Sequence, residues 1–309
     1  MNVQTALLAV EETMSRVVAS DVAVLQEASR HILQAGGKRL RPRLALHSYL
    51  AVGGQDLKVM VPIAAAMEIL HTATLVHDDI NDHGTMRRSR PTVNAIWGRT
   101  FALLTGDYLF TKVYELMAPY GALNAVFAEA TVKLVEGETL QAQAAKDGAL
   151  DQDLYFEIIA RKTAALFTAA AKLGAMAGGG TVEQVNALGG CAHNMGLAFQ
   201  IVDDLLDLLA DADQLGKTAG LDIAQGKGIA VAARKAAGNG ARVAIPEIDE
   251  RDSLRAFSPD ALQTDFVQRA RNRAYELVSE GVAMLHVLPP SPALEALQAM
   301  AWQMVERDH

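Results

Sequence analysis

The fold class is indicated most clearly by residues 63–82, which read IAAAMEILHTATLVHDDIND. Apolar side chains recur there at three- and four-residue spacing, as at Ile63, Met67, Leu70 and Thr74, which is the period of a helix with one buried face. Most of the chain repeats this period, alanine is frequent, and the alternating Val, Ile and Thr runs typical of strands are nearly absent. The sequence therefore predicts an all-α protein, built as a helical bundle.

Short breaks separate the helical stretches, and none has the length or composition of a linker between domains. Residues 238–258 are the least regular stretch, because they mix charges with Pro246 and lack helical spacing. We therefore expect a single domain over residues 1–309. The breaks fall at Gly36-Gly37, Gly53-Gly54, Gly178-Gly179-Gly180, Gly238-Asn239-Gly240 and Pro289-Pro290.

Composition narrows the function classes. Of 309 residues, 50% are hydrophobic and 21% are charged, which is typical of a chain that folds around a sizeable core. The formal net charge of −8 argues against a broad surface for nucleic acid or anionic lipid, so any anionic ligand must be met locally. The single cysteine, Cys191, excludes an internal disulfide and a thiolate-rich metal site. We expect a cytoplasmic protein without a signal peptide, and without a membrane-spanning helix because no run of about 18 uncharged apolar residues occurs.

The helical run that ends at Asp82 turns acidic abruptly, with Asp78, Asp79 and Asp82 following an apolar stretch. Positions i and i+4 share a helix face, so Asp78 and Asp82 can present two carboxylates to one cation. Carboxylates this close repel one another and need a counter-charge, and such hard oxygen ligands suit Mg²⁺ held jointly with substrate phosphates. For this cluster alone, a solvated helix end or a helix cap is an equally good interpretation.

A second cluster, Asp203, Asp204 and Asp207, follows 125 positions after the first on another apolar helical run. Asp203 and Asp207 again share one helix face. Two such clusters suit the facing walls of a metal-lined cavity better than they suit a solvent-facing surface. The repetition therefore favours a metal site over two solvated helix ends.

Basic residues complete the pattern, because an acidic protein that binds diphosphates needs local cations, with arginine as a fork and lysine as a point charge. Glycines beside them allow backbone N–H groups to approach an anion. Taken singly, the first cluster is as readily a plain loop, and Arg87-Arg88 is as readily a surface pair. The basic positions are Lys38, Arg39 and Arg41 after Gly36-Gly37, then Arg87-Arg88, Arg161-Lys162, Lys217 and Lys227.

Together these motifs resemble those of the trans-isoprenyl diphosphate synthases, the head-to-tail prenyltransferases of the polyprenyl synthetase family. The resemblance covers nearly the whole chain and rests on the order and spacing of the motifs. Such enzymes have an all-helical fold around a deep central cavity, work as homodimers, and extend an allylic diphosphate with isopentenyl diphosphate. The matching motifs are Gly36 to Pro42, His71 to Asp82, Arg87-Arg88 with Pro91-Thr92, Gly137-Glu138, Arg161-Lys162-Thr163, Gly196 to Asp207, Gly216-Lys217 to Asp222, and Gly226-Lys227.

The resemblance also implies roles for single residues. The catalytic set would be Asp78, Asp79, Asp82, Asp203, Asp204, Asp207, Lys162 and Lys217, with Asp79 in a supporting role. Of these, Asp78, Asp82, Asp203 and Asp207 would bind Mg²⁺, with three ions expected per active site. The isopentenyl diphosphate pocket would be Lys38, Arg41, His71 and Arg88, although a lone histidine on an apolar helix is more often a core residue. The allylic diphosphate would contact Arg87, Lys162, Thr163, Gln200, Lys217 and Lys227.

Product length in this family depends on the depth of an apolar tunnel below the first aspartate cluster. Ala73 and Thr74, five and four positions before Asp78, are both small and form the predicted chain-length wall. This opening predicts an all-trans product of roughly thirty to fifty carbons, of the type used for quinone side chains. The alternative is a deeper floor, at Phe101, Tyr108 or Phe110, that stops growth near about twenty carbons, as in a short-chain geranylgeranyl or farnesyl diphosphate synthase.

One stretch departs from the family pattern. After Gly226-Lys227 many members continue with Thr-Leu-Pro, whereas this chain reads Gly228-Ile229-Ala230-Val231-Ala232, which puts the geometry of the loop that holds Lys227 in doubt.

A terpene cyclase is the nearest rival enzyme, but it does not need a second diphosphate pocket. A non-catalytic subunit that tunes an active homologue is the rival from another class, and it should have an eroded aspartate cluster. The sequence leaves the need for a partner subunit open, and also transient membrane contact during product release.

Overall fold

A computed structural model of the protein describes residues 1–209, 226–236 and 259–307. The all-α prediction is confirmed, since the longer elements in these ranges are all helices. The helices are α1 Val3–Val17, α2 Ala23–Leu33, α3 Leu40–Ala51, α4 Val61–Asn81, α5 Val93–Met117, α6 Gly121–Asp147, α7 Gln152–Ile159, α8 Ala165–Ala177, α9 Val182–Leu209, α10 Ile229–Ala236, α11 Pro259–Met284 and α12 Pro292–Gln303. Short 3₁₀ turns lie at Leu57–Met60, Ala118–Tyr120 and Leu285–Val287, and a π-helical turn at Ala160–Ala164 joins α7 to α8.

Contacts divide the chain into two compact units. The first unit comprises Met1–Glu129, Ala169–Gly189 and Leu285–Leu297, and the second comprises Ala130–Thr168, Gly190–Met284 and Gln298–His309. The expectation of one domain over residues 1–309 stays a prediction.

Helix α4 forms the core of the first unit. Met67, Ile69 and Leu70 have no exposed surface, and α1, α3 and α5 pack around the helix. Its start is marked by a proline in the first turn, where the missing N–H costs no helical hydrogen bond. Burial on nearly all sides explains why the sequence of α4 is apolar around most of its circumference.

A single stripe of α4 keeps partial exposure. His71, Thr74, Leu75, Asp78 and Asp82 are half-buried and follow one another at helical spacing, while the residues between them are mostly buried. The apolar stretch of the helix thus ends in a stripe that presents two carboxylates.

The segment Leu57–Asn81 is, by length and composition alone, apolar enough to cross a membrane. In the structure 72% of its most apolar window is buried inside the protein, which is the pattern of a core helix.

In the second unit, the π-helical turn is the point of closest packing. A Cβ atom on Gly137 of α6 would lie 2.6 Å from the backbone nitrogen of Lys162, and one on Gly196 of α9 would lie 2.6 Å from Cα of Ala164. Both distances are too short for any side chain, so these glycines allow α6 and α9 to approach the turn. Phe167 is fully buried next to Phe199, with ring centroids 5.6 Å apart.

A two-strand hairpin follows α4. Strand β1 (Met86–Arg87) pairs antiparallel with β2 (Arg90–Pro91), and the two residues between them, Arg88 and Ser89, have φ of 51° and 58°. Two positive φ angles are those of a type I′ turn, which ordinarily carries glycine or asparagine. A side chain in this backbone region costs roughly 1–2 kcal/mol, so the hairpin holds a strained backbone beside the first acidic cluster.

Replacing Ser89 with glycine should therefore stabilise the protein. Glycine removes the Cβ penalty but adds chain entropy to the unfolded state, so we expect a gain of about 0.5–1 kcal/mol in the free energy of unfolding. Urea unfolding followed by circular dichroism measures it. Ser89→Ala, which keeps the Cβ atom, is the matched control and should show no gain, whereas a loss of stability in Ser89→Gly would contradict the strained turn.

Candidate active site

The first acidic cluster lies at the carboxyl end of α4. Asp78 and Asp82 are both half-buried on the exposed stripe, and the backbone N–H of Asp82 donates to the carbonyl of Asp78 at 2.8 Å, which closes the last turn. Among the residues that the structure describes, no group of three or more His, Cys, Asp or Glu side chains could hold a metal by itself. A pair of carboxylates fits Mg²⁺, which keeps waters and takes substrate phosphates as its other ligands.

Asp79 has a different place from its neighbours. It is 3% exposed, and its Oδ1 accepts a hydrogen bond from Nε of Arg87 at 2.8 Å. Its carbonyl accepts the backbone N–H of Gly84 at 3.0 Å. Asp79 therefore anchors the hairpin that carries Arg87 and Arg88, and Arg87, predicted to contact the allylic diphosphate, is held by this carboxylate.

The residues predicted for the isopentenyl diphosphate pocket come together in the first unit. The guanidinium of Arg88 donates to the carbonyl of Gly36, and a Cβ on Gly37 would lie 2.9 Å from its Nη1. The guanidinium of Arg88 thus lies close to the backbone at Gly36 and Gly37, where a side chain on Gly37 would obstruct it. His71 lies in the field of Arg41 and Arg88, while Lys38 is exposed on the loop that leads to Arg41.

Electrostatics in this pocket are set by burial among cations. Desolvation, and then the neighbouring Arg88, lower the pKa of Arg41 to about 10, against the opposing charge of Glu68. Arg41 therefore stays cationic at neutral pH. Burial first, and then Arg41, Arg88, Arg87 and Arg39, hold the pKa of His71 well below its usual range. His71 is therefore neutral at physiological pH and offers hydrogen bonds rather than charge.

The second acidic cluster also separates its members. Asp203 and Asp207 are half-buried, whereas Asp204 is 8% exposed and accepts three hydrogen bonds. The donors are the hydroxyl of Tyr155 at 2.8 Å, Nε2 of Gln200 at 2.8 Å and the backbone N–H of Ile229 at 3.0 Å. The sequence grouped Asp204 with the catalytic carboxylates, and this role stays a prediction; in the structure both of its oxygens accept hydrogen bonds from protein donors.

Gln200 links Asp204 to Thr163 through two hydrogen bonds. Its Nε2 points to Asp204, so its Oε1 is the acceptor for the hydroxyl of Thr163 at 2.8 Å. Tyr155, which sequence reasoning missed, starts the same chain of hydrogen bonds. Two of the predicted allylic contacts, Gln200 and Thr163, are thus held together with their amide and hydroxyl fixed in direction.

Lys162 and Arg161 are adjacent in the π-helical turn, but their side chains have different partners. Nζ of Lys162 donates to Oε1 of Gln141 at 2.7 Å and pairs with the carboxylate of Glu138, both on α6. Arg161 instead pairs with Glu136 and Glu157 on the surface. A π turn inserts one residue into a helix and often marks a functional site, and here it directs two adjacent basic side chains to different partners.

Lys227 lies between two glycines with positive φ, Gly226 at 70° and Gly228 at 83°. The N–H of Ile229, donated to Asp204, ties the loop to α9, and α10 begins at that residue. The segment that departs from the family pattern is therefore anchored to the second cluster in this chain. Lys217 lies outside the described residues, as does the whole irregular stretch of residues 238–258.

The predicted chain-length residues have different surroundings on α4. Ala73 has no exposed surface, whereas Thr74 is on the half-buried stripe and donates its hydroxyl to the carbonyl of His71 at 2.8 Å. Of the alternative floor residues, Phe101 is exposed, and Tyr108 donates its hydroxyl to the carbonyl of Ala19 at 2.8 Å. Phe110 stacks on the ring of His77 with centroids 5.8 Å apart, and His77 directly precedes Asp78.

Comparison with known proteins identifies the family of the chain. The polyprenyl synthetase family matches residues 22–248. The chain is 36% identical to an octaprenyl diphosphate synthase of Escherichia coli over 94% of this chain and 92% of that protein. It is 37% identical to a short chain isoprenyl diphosphate synthase of Methanothermobacter thermautotrophicus over 92% and 91%.

The fold agrees as well. A crystal structure of polyprenyl synthase from Caulobacter crescentus, complexed with calcium and isoprenyl diphosphate, superposes with a TM-score of 0.92 at 32% identity. The superposition covers 99% of this chain and 96% of the other. On the match to the family and on these relatives, the chain belongs to the polyprenyl synthetase family and is a prenyltransferase.

Proposed function

We propose that the protein condenses isopentenyl diphosphate head-to-tail (1'-4) onto an allylic diphosphate and releases an all-trans polyprenyl diphosphate. The observation that carries the proposal is the stripe of α4, which has the neutral His71 among arginines at one level and Asp78 two turns further on. Seven residues of helix separate the two levels by about 10 Å. An anion pocket and a cation-binding pair on one face suit a reaction that joins two diphosphates, and favour condensation over cyclisation.

The residues divide the chemistry as follows. Arg41, Arg88 and Lys38 hold the isopentenyl diphosphate, with hydrogen bonds from His71. Lys162, Thr163, Gln200, Lys217 and Lys227 hold the diphosphate of the allylic substrate, which Arg87 also contacts. Asp78 and Asp82 in the first unit, and Asp203 and Asp207 in the second, would bind Mg²⁺, which would supply positive charge that stabilises the leaving diphosphate.

No protein nucleophile is needed in this reaction. The allylic carbon–oxygen bond breaks with its electron pair leaving on the diphosphate, and the double bond of isopentenyl diphosphate attacks the resulting cation. A proton then leaves the new carbon skeleton for the released diphosphate, which restores a double bond. Apolar side chains such as Leu75 and Phe199 exclude the water that would otherwise capture the cation.

We propose a product of roughly thirty to fifty carbons, of the type used for quinone side chains, because Thr74 is small and keeps partial exposure beside the first cluster. The octaprenyl enzyme supports this length. The short-chain relative is equally similar in sequence, so a product of about twenty carbons is the second candidate, with Phe110 beside His77 as the residue that favours it.

A homodimer is the proposed assembly, with α5 at the interface. Leu103, Leu104 and Tyr114 are each 48–60% exposed and lie on the part of α5 that follows its non-helical residue Gly98. Large apolar side chains that are exposed together on one helix suit a contact with another protein surface. We also propose a cytoplasmic location, supported by the net charge of −8 and the single cysteine, with transient membrane contact for release of the long product.

The test of the proposed function is a product assay. Purified protein, Mg²⁺, labelled isopentenyl diphosphate and farnesyl diphosphate are incubated, and the dephosphorylated products are sized by mass spectrometry. A ladder that disappears with chelator supports condensation. Failure to form any extended product, with both diphosphates shown to bind, would contradict it and would favour a non-catalytic subunit.

Asp78→Ala should lower turnover by about 10²-fold or more, since it removes one of two carboxylates that stabilise the bound cation. Far-ultraviolet circular dichroism should be unchanged, because Asp78 is half-buried on an open stripe. Asp147→Ala, at the exposed end of α6, is the control and should keep turnover. Near-normal turnover in Asp78→Ala would reject the metal-ligand assignment.

Thr74→Phe should shorten the product, because an aromatic ring on the half-buried stripe fills the room below Asp78. Ala73→Phe, at a position with no exposed surface, should shorten it only by displacing its packed neighbours. Mass spectrometry of the products measures the shift. Thr74→Val keeps the volume and loses only a hydroxyl whose partner is the His71 carbonyl, so it should leave the length unchanged. An unchanged length in both phenylalanine variants would reject the wall assignment.

Leu103→Lys combined with Leu104→Lys should convert the dimer to monomer, since two charges at these exposed positions of α5 cannot be desolvated at an interface. Light scattering after size-exclusion chromatography gives the mass. Val182→Lys changes an apolar residue that is 77% exposed elsewhere and should leave the mass unaltered. A wild-type mass equal to one chain would contradict the dimer.

A further inference from the structure

Arg39 is a buried residue that lies, in the sequence, between two residues of the proposed isopentenyl diphosphate pocket. It lies between Lys38 and Arg41 in the chain, but only 8% of it is exposed, so it is withdrawn from the surface on which a ligand would bind. Its backbone is left-handed, with φ of 49° and ψ of 42°, and α3 begins at the next residue.

Three different elements hold the Arg39 guanidinium. Nε and Nη2 donate to the two carboxylate oxygens of Glu11 on α1, at 2.5 Å and 3.0 Å. Nη1 donates to Oε1 of Glu68 on α4 at 2.7 Å. Nη2 also donates to the carbonyl of Leu33, the last residue of α2, at 3.3 Å. The planar fork of arginine is matched to such a set of acceptors, whereas a lysine ammonium could not meet them together.

Glu68 links this network to the pocket. It is 3% exposed in the apolar part of α4, where a carboxylate persists only with a cationic partner, and it precedes His71 by one turn. Its charge also raises the pKa of Arg41 and of Arg88, against the larger effect of burial. Burial alone would lower the pKa of Arg39, but Glu11 and Glu68 raise it overall, so Arg39 stays cationic.

The backbone before α3 requires such support. Gly36, Gly37 and Arg39 have φ of 76°, 149° and 49°, and only the last of them bears a side chain. A left-handed non-glycine residue costs roughly 1–2 kcal/mol and persists only where its surroundings fix it. Here the guanidinium contacts fix Arg39 from one side, and Arg88 holds the carbonyl of Gly36 from the other.

We propose that Arg39 is a positioning residue, which together with Glu11 and Glu68 holds the backbone of residues 36–41 so that Lys38 and Arg41 are placed for isopentenyl diphosphate. Arg39 does not touch the substrate. The inference rests on the proposed function, because it names what orders one of its two substrate pockets.

The test separates positioning from general stability by comparing the two substrates. Arg39→Lys keeps the charge but loses the fork, and Glu68→Gln keeps the shape but loses the charge. We expect each to weaken the binding of isopentenyl diphosphate by about tenfold or more, by calorimetry with chelator present, and to raise its KM similarly. The KM of the allylic diphosphate should stay within about twofold of wild type, since that substrate is assigned to other residues.

Two further variants keep the result interpretable. Arg43→Lys, on an exposed position of the same helix, is the matched control and should bind like wild type. Glu11→Gln removes the more exposed carboxylate and should give a smaller loss, so it serves if the buried variants fail to fold. Isopentenyl diphosphate binding within about twofold of wild type in the folded variants, or an equal loss for both substrates, would overturn the inference. Wild-type protein that binds no isopentenyl diphosphate would instead contradict the proposed function, and the inference with it.

Discussion

The structure of the first unit depends on how α4 keeps charged groups within an apolar core. The helix is buried on almost every side, yet it carries Glu68, Asp78, Asp79 and Asp82. Each buried carboxylate meets an arginine from outside the helix, Glu68 from Arg39 and Asp79 from Arg87. Because an unpaired charge in such a core would cost several kcal/mol, these pairings determine where the start of α3 and the hairpin lie.

This requirement explains why the cations of the pocket are concentrated on one side of α4. Burial, and then the positive potential of these arginines, holds the pKa of His71 well below its usual range. Glu11 and Glu68 neutralise the charge of Arg39 by forming ion pairs with it. The positive charges of Arg41, Arg88 and Lys38 therefore favour a bound anion. A diphosphate bound there would balance these positive charges. The pocket can thus attract an anion locally although the net charge of the protein is −8.

Sequence reasoning predicted the helical class and the carboxylate stripe, because both follow from a spacing rule that acts within one helix. It did not find the network around Arg39, which joins residues 28 and 29 positions apart in the chain. The sequence did contain one signal of this network: Glu68 is a single acidic residue in an apolar run, and such a residue needs a cationic partner. The π turn at Lys162 and the hydrogen bonds of Asp204 were also missed, since helix register and long-range partners leave no local pattern in a single sequence.

The paired aspartates of the two clusters follow one physical logic. Adjacent residues on a helix point about 100° apart, so a stripe that exposes Asp78 must turn Asp79 inward, and the same holds for Asp203 and Asp204. The second aspartate is the buried one in both clusters, 3% exposed at Asp79 and 8% at Asp204. One anchors the hairpin through Arg87, and the other anchors Gln200, Tyr155 and the loop of Lys227. A doubled aspartate therefore combines an outward carboxylate that can bind a cation with an inward one that fixes the surrounding binding residues, which explains why one residue of each pair is a poor candidate for a metal ligand.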